Sequence, residues 1–411
     1  MVLPDFDGAS DIVDVTMDAR GQLLDVTREY PDGPGTTSYT WDANGNRTSI
    51  TDPRGQVMSF DYDTYGRMTT YVDKHGQSVE YTYDEAGREL TRINRNGEVL
   101  ARTYDLAGRL QTLVGPGVDR EWDYDALGRT TYARAGGHVE ERTYDGVHLA
   151  QTRVYGLDGA GHIDATWQLA FDDASRLATM EGPFTAADVG LTVDHDYDHR
   201  GRLSAVTELA LGTWGMGYDT VGRMDSLTRP DGTVTTTTYD DAGRTLGTVT
   251  TDALGTVLHE VLTTYDTRGL PDTQTDPFGT LDYTHDVAGR LVGVDHPATS
   301  PIADELYAYD AANRRTESHR DAASEVVYND LDQLVQDASY TYVYDAEGRL
   351  IEQTDRATGG VTTFAYDALD HMIGMVDEAG TAWTYVFDAR ELRVLVTAEQ
   401  GGVETYGEAF V

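Results

Sequence analysis

Cysteine is absent from this chain, which excludes disulfides, thiolate metal sites and a cysteine nucleophile. Lysine occurs once, at Lys74, and the other 30 of the 31 Lys and Arg side chains are arginine, a bias that carries no mechanism. Apolar residues make up 39%, below the roughly 45–50% of an average globular domain. No apolar run approaches 18 residues, so no membrane-spanning helix is expected. Residues Met1 to Ser10 show neither a basic n-region nor an apolar h-region, so no signal peptide is visible in this segment. Basic residues number 31 against 71 acidic ones, a net charge of −40. A surface of that sign repels phosphate backbones and anionic headgroups, which argues against nucleic acid and membrane partners and suits a basic partner.

Glycine is abundant instead, with 43 residues against a usual share of about 7%. Glycine reaches positive φ without steric cost, so its excess marks many tight turns. The turns follow a repeat: aromatic, Asp, two variable residues, Gly, Arg. It reads Tyr62-Asp63-x-x-Gly66-Arg67, Tyr83-Asp84-x-x-Gly87-Arg88, Tyr104-Asp105-x-x-Gly108-Arg109 and Tyr124-Asp125-x-x-Gly128-Arg129. It returns as Tyr197-Asp198-x-x-Gly201-Arg202, Tyr218-Asp219-x-x-Gly222-Arg223, Tyr239-Asp240-x-x-Gly243-Arg244 and Tyr344-Asp345-x-x-Gly348-Arg349. A further copy starts at Tyr265, and degenerate copies at Met17, Trp41, Tyr144, Phe171, His285, Tyr309, Tyr328, Tyr366 and Phe387, eighteen in all. Starts at 41, 62, 83 and 104 are 21 residues apart, and the other spacings run from 16 to 27.

Between successive copies lies a second turn signal, as in Asp52-Pro53-Arg54-Gly55, Asp73-Lys74-His75-Gly76, Asn94-Arg95-Asn96-Gly97 and Pro230-Asp231-Gly232. Two turns in 21 residues leave two strands of about six residues each. Apolar residues alternate within them, as in Val79-Glu80-Tyr81-Thr82-Tyr83, Tyr340/Tyr342/Tyr344 and Trp383/Tyr385/Phe387. The expectation is an all-β chain of tandem hairpins. Within each phrase the tyrosine ends a strand with its ring on the buried face. Aspartate accepts the turn amides, glycine turns the chain, and arginine is placed to stack on a ring or pair with an aspartate.

The phrase resembles the YD-repeat, or RHS-repeat, family over essentially all 411 positions. The resemblance implies hairpins bonded side by side into one long, spirally wound β-sheet, a hollow shell or part of one. Similar bacterial members enclose a toxic C-terminal domain before delivery, and the similar teneurin shell serves cell-surface adhesion. It implies a structural, non-catalytic role in a secreted or cell-surface protein, with cargo or flanking domains of the same polypeptide as partners. Residues 1–411 read as a single array, a segment of a longer protein. The alternative is an adhesion or carbohydrate-binding module, in which solvent-facing aromatics such as Trp383 bind glycans.

Other chemistry finds little support. Asp194, Asp196 and Asp198 fall at i, i+2, i+4 on one strand face, a pattern that can hold calcium, but His199 and Ala205 stand where an EF-hand needs Gly and Glu. The expected role is a solvated acidic face. Pro271 through Asp276-Pro277-Phe278-Gly279 matches the family's aspartyl self-cleavage motif, yet lies mid-array and reads as an ordinary turn. Histidines are scattered, and neither Gly-x-Ser-x-Gly nor a phosphate-binding loop occurs. No cofactor is expected.

Overall fold

The computed structural model describes residues 12–28, 34–156, 164–184, 189–310, 314–320 and 325–409. The reading of Met1 to Ser10 lies outside them. Among the described residues there are 37 strands and no helix, hence none long and apolar enough to cross a membrane. Twenty-eight strands, from Ile12–Met17 to Arg315–Ser318, form one antiparallel sheet, and nine more, from Val327–Tyr328 to Val403–Ala409, form a second. Strands pair with their neighbours in sequence: Val57–Tyr62 with Met68–Val72, that strand with Ser78–Tyr83, and so on.

The two kinds of hairpin differ in register. Across the Asp73–Gly76 turn the pairing is continuous, Thr70 to Glu80 through Val72 to Ser78. Across the Asp63–Gly66 turn it slips, from Asp61 opposite Thr70 to Tyr62 opposite Met68, leaving one extra residue on the outgoing strand. The same slip precedes Tyr83, Tyr124, Tyr218 and Tyr239. Such bulges raise the local right-handed twist. Each bulged Tyr-Asp turn therefore adds twist locally at the edge that carries it.

Core is thin. Among the described residues only thirteen apolar side chains are buried, far too few for a two-layer sandwich. The chain divides into two compact units. One comprises Met1–Val139, Tyr309–Thr316 and Asp321–Val411, and holds the cluster Leu100, Leu113, Val118 and Ala368, flanked by Trp122 and Leu369. The other comprises Glu140–Ala308 and Glu317–Arg320, with Val154, Ala165 and Val294 buried and His148 stacked on Phe171 at 4.5 Å.

Candidate functional site

Each Tyr-Asp turn is a small closed network. At Asp63 the backbone N–H donates to the Arg67 carbonyl (2.9 Å), and Gly66 N–H donates back to the Asp63 carbonyl (3.0 Å). Oδ1 of Asp63 accepts the amides of Tyr65 (2.8 Å) and Arg67 (3.0 Å), and Oδ2 accepts Arg67 Nε at 2.6 Å. Gly66 has φ +79°, a left-handed conformation that costs other residues roughly 1–2 kcal/mol. The backbone pattern recurs at Asp84/Gly87, Asp105/Gly108, Asp125/Gly128, Asp198/Gly201, Asp219/Gly222, Asp240/Gly243 and Asp345/Gly348. The bonds donated to these carboxylates favour the charged form. The Arg202 amide, followed by its guanidinium, lowers Asp198 to about 2. At Asp219 partial burial opposes the shift, but Arg223 and the turn amides outweigh it and again bring the carboxyl to about 2.

Arginine then joins consecutive repeats. Arg67 Nη1 donates to the carbonyl of the next aspartate, Asp84, at 2.9 Å, and its guanidinium lies 4.8 Å from the ring centre of Tyr83. The Tyr83 hydroxyl donates back to the Met68 carbonyl at 2.7 Å. The stack repeats as Arg88 on Tyr104 (4.6 Å), Arg109 on Tyr124 (4.7 Å), Arg176 on Tyr197 (4.4 Å), Arg202 on Tyr218 (4.2 Å), Arg223 on Tyr239 (4.5 Å) and Arg244 on Tyr265 (4.6 Å). Tyr344 sends its hydroxyl to the Leu334 carbonyl (2.8 Å), and Arg349 stacks on Tyr366 (5.2 Å). The tyrosines are half-buried strand-end residues, and seven of them are clamped by the preceding arginine, while Tyr62 and Tyr344 follow Asn46 and Gln333 in place of that arginine. At Asp367 histidine replaces arginine: His371 Nδ1 lies 2.9 Å from Asp367 Oδ2, and its ring stacks on Phe387.

Within the first unit these turns have a second use, which the sequence did not signal. Tyr-Asp turns of the later sheet meet the opposite turns of the earlier strands, some 250 residues away in the chain. Arg95 pairs with Glu347 through its amide and through Nη1 (3.1 Å), while its Nε lies 3.0 Å from Asp73. Burial opposes the charge on Arg95, yet Glu347, Tyr71 and Asp73 hold its affinity for the proton above the ordinary value. Asn96 donates to Asp345 (3.0 Å) and accepts the Ala346 amide (3.1 Å). Lys74 approaches Asp332 at 4.0 Å, and buried Arg120 donates to Glu391 at 3.0 Å. At the centre the apolar tip Ala368-Leu369 seats against Leu100, Leu113, Val118 and Trp122, and the Ala368 amide donates to the Pro116 carbonyl at 3.0 Å. Gly117, at φ +70°, makes the approach possible: a Cβ there would lie 2.8 Å from Asp367 Cβ. The result is an apolar plug rimmed by ion pairs.

The remaining sequence candidates fall elsewhere. The strand Val189–Tyr197 ends before Asp198, whose carboxylate is taken up by its own turn, while exposed Asp194 accepts the Thr179 hydroxyl at 2.9 Å. The three carboxylates therefore do not converge. Asp276 accepts the amides of Phe278 (2.8 Å) and Gly279 (3.1 Å), as the first residue of a tight turn does. Trp383 is half-buried with its ring 5.9 Å from Tyr406, so it does not stand out into solvent. The turn read at Pro230 closes one residue earlier, from Arg229 to Gly232. At Tyr144 the strand runs on through Asp145, and only Gly146 and Val147 separate it from His148–Tyr155.

Comparison with known proteins gives one family model, the teneurin YD-shell, matching residues 6–138 and 102–405. The structure is similar to the crystal structures of TcdB2-TccC3-TEV (TM-score 0.67) and TcdB2-TccC3 (TM-score 0.66), each at 13% identity over 96% of this chain and 25% of theirs. It is also similar to the Tc holotoxin pore of Photorhabdus luminescens, with TM-score 0.60 and 13% identity over 96% of this chain and 24% of that one. The chain thus spans about a quarter of the structures it matches, and at that identity the likeness is one of fold.

Proposed function

The chain belongs to the teneurin YD-shell family, and from that premise we propose that it is a stretch of shell wall in a larger exported bacterial protein, enclosing or presenting a toxin or effector domain. The role is structural rather than catalytic: a continuous hydrogen-bonded wall keeps a cargo from proteases and from the producing cell. Its partners are cargo or flanking domains of the same polypeptide, and an acidic wall suits a basic cargo. The observation that carries the reading is the docking of Tyr-Asp turns onto opposite turns about 250 residues away. A strip whose edges are built to seat on one another serves as wall, and a row of independent binding modules has no use for such a joint. The half-buried setting of Trp383 gives the glycan-binding alternative no support.

The test is the intact mass and terminal peptides of the native polypeptide from its producing cell. A polypeptide that continues into an unrelated C-terminal domain, protected from added protease until the wall is unfolded, supports enclosure. A native protein with nothing attached to these repeats ends that reading and leaves adhesion as the leading one.

A further inference from the structure

The joint inside the first unit has two halves, and the same unit carries each half a second time, undocked. The docked tip is Asp367-Ala368-Leu369, with Ala368 only 3% exposed. Asp125-Ala126-Leu127 has the same sequence on a Tyr-Asp turn of the earlier strands, and there Leu127 is 75% exposed. The receiving turn is Pro116-Gly117-Val118, two residues between strands, with Gly117 at φ +70° and Val118 only 4% exposed beneath the tip. Its counterpart at the far edge of the later sheet is Gly401-Gly402-Val403. It too has two residues between strands, with Gly402 at φ +80°, but Val403 is 65% exposed.

Charge has the same sign on each kind of edge, with the free glutamate one place earlier in its turn than the docked one. In the joint, Glu347 on a Tyr-Asp turn pairs with Arg95, the second residue of the opposite turn. On the free edges Glu85 follows Asp84 in its turn and Arg356 follows Asp355 in its own; both are exposed. The Arg356 guanidinium donates to the carbonyls of Asp337 and Ala338, and among the described residues neither it nor Glu85 has an ion-pair partner. In the joint, later tips meet later turns: 345 with 94, then 367 with 116. The same order would set the Asp84 turn on the Asp355 turn and the Asp125 turn on Gly401-Gly402.

We propose that two copies of this chain associate head to tail, the Tyr-Asp edge of the earlier strands of one copy seating on the far edge of the later sheet of the next. Leu127 enters the place beside Gly402 and Val403, and Glu85 meets Arg356. The contact is heterologous, so it adds copies progressively rather than closing a symmetric dimer. It goes beyond the wall reading and does not require that anything be enclosed. Because each copy carries −40, long-range repulsion opposes the contact and added salt strengthens it by screening.

Sedimentation velocity and light scattering on the 411-residue chain, over about a hundredfold range of concentration and at rising salt, test this. The expected result is a weight-average mass climbing steadily above 45.1 kDa. Leu127→Asp and Val403→Asp should each weaken association at least about tenfold, since each places a charge in a contact centre. Glu85→Arg alone should weaken it, and adding Arg356→Glu should restore it, a rescue that a merely unfolded variant does not give. A mass that stays at 45.1 kDa throughout overturns the proposal in favour of flanking repeats as the occupants of these edges. Association indifferent to all four changes overturns it as well.

Discussion

Ser175, Asp332, Asp370 and Glu391 hold positive φ in turns where the repeat elsewhere uses glycine. Three of the four are acidic. Asp332 and Glu391 reach Lys74 and Arg120 across the joint, and Asp370 lies 3.1 Å from Arg349. What reads in sequence as decay of the motif is thus a carboxylate held at the tip of a turn at a steric cost of roughly 1–2 kcal/mol. Two substitutions at these turns should act with opposite sign. Ser175→Gly removes strain and little else, and should raise stability by up to about 1 kcal/mol in urea denaturation. Glu391→Gly removes similar strain but strips buried Arg120 of its carboxylate, and should lower stability. A gain in the second case would show that the pair contributes nothing. Acid response belongs to this scale too. Asp198 and Asp219, lowered to about 2 when folded, contribute stability that is fully present above the unfolded value of about 4. It is lost as pH falls from there through about 2. Circular dichroism should therefore show strand loss within that window, and Asp198→Asn should flatten the loss.

At the scale of the hairpin, the unit of stability is the arginine that ties one repeat to the next. Arg109→Ala removes the bond to Asp105, the bond to the Asp125 carbonyl and the stack on Tyr124 together. The stack alone is worth roughly 0.5–1 kcal/mol at a partly exposed site. Arg109→Lys should not restore the wild-type value, because an ammonium cannot reproduce the planar fork. In an array of nearest-neighbour contacts the damage stays local. Hydrogen exchange should accelerate in Leu110–Gly115 and Val118–Tyr124 while Met224–Thr228 is unchanged. Uniform acceleration would contradict the local account. Most of the hairpin was legible beforehand, because its turns are short-range: Asp, the left-handed Gly and Arg lie within five residues. The exception at Tyr144 has the same logic, since Gly146 directly follows Asp145 and closes the chain in two residues.

At the scale of the molecule, the joint between earlier and later strands is open to a direct test, because the chain offers no native thiol. Cysteines at Asn96 and Ala346, in hydrogen-bonding contact across the joint, should be linked within one chain by a short bismaleimide. Cysteines at Asn96 and Ala107 serve as the control, on opposite edges of the same hairpins. Failure of the first pair to react faster than the control would remove the joint. Sequence alone determined the strands, most of the turns and the family, because each follows from contacts among residues that are neighbours in the chain, whereas the one-residue slip at the Tyr-Asp turns came from the strand registers. Tertiary structure decided which turns meet. Nothing in the string Asn94-Arg95-Asn96-Gly97 points to Asp345 or Glu347, since a contact between residues some 250 positions apart leaves no signature in the local sequence. Gly117 and Ala368-Leu369 read as an ordinary turn and an ordinary tip, and only their long-range contact, with Leu100, Leu113 and Val118 buried beneath it, gives them a further role.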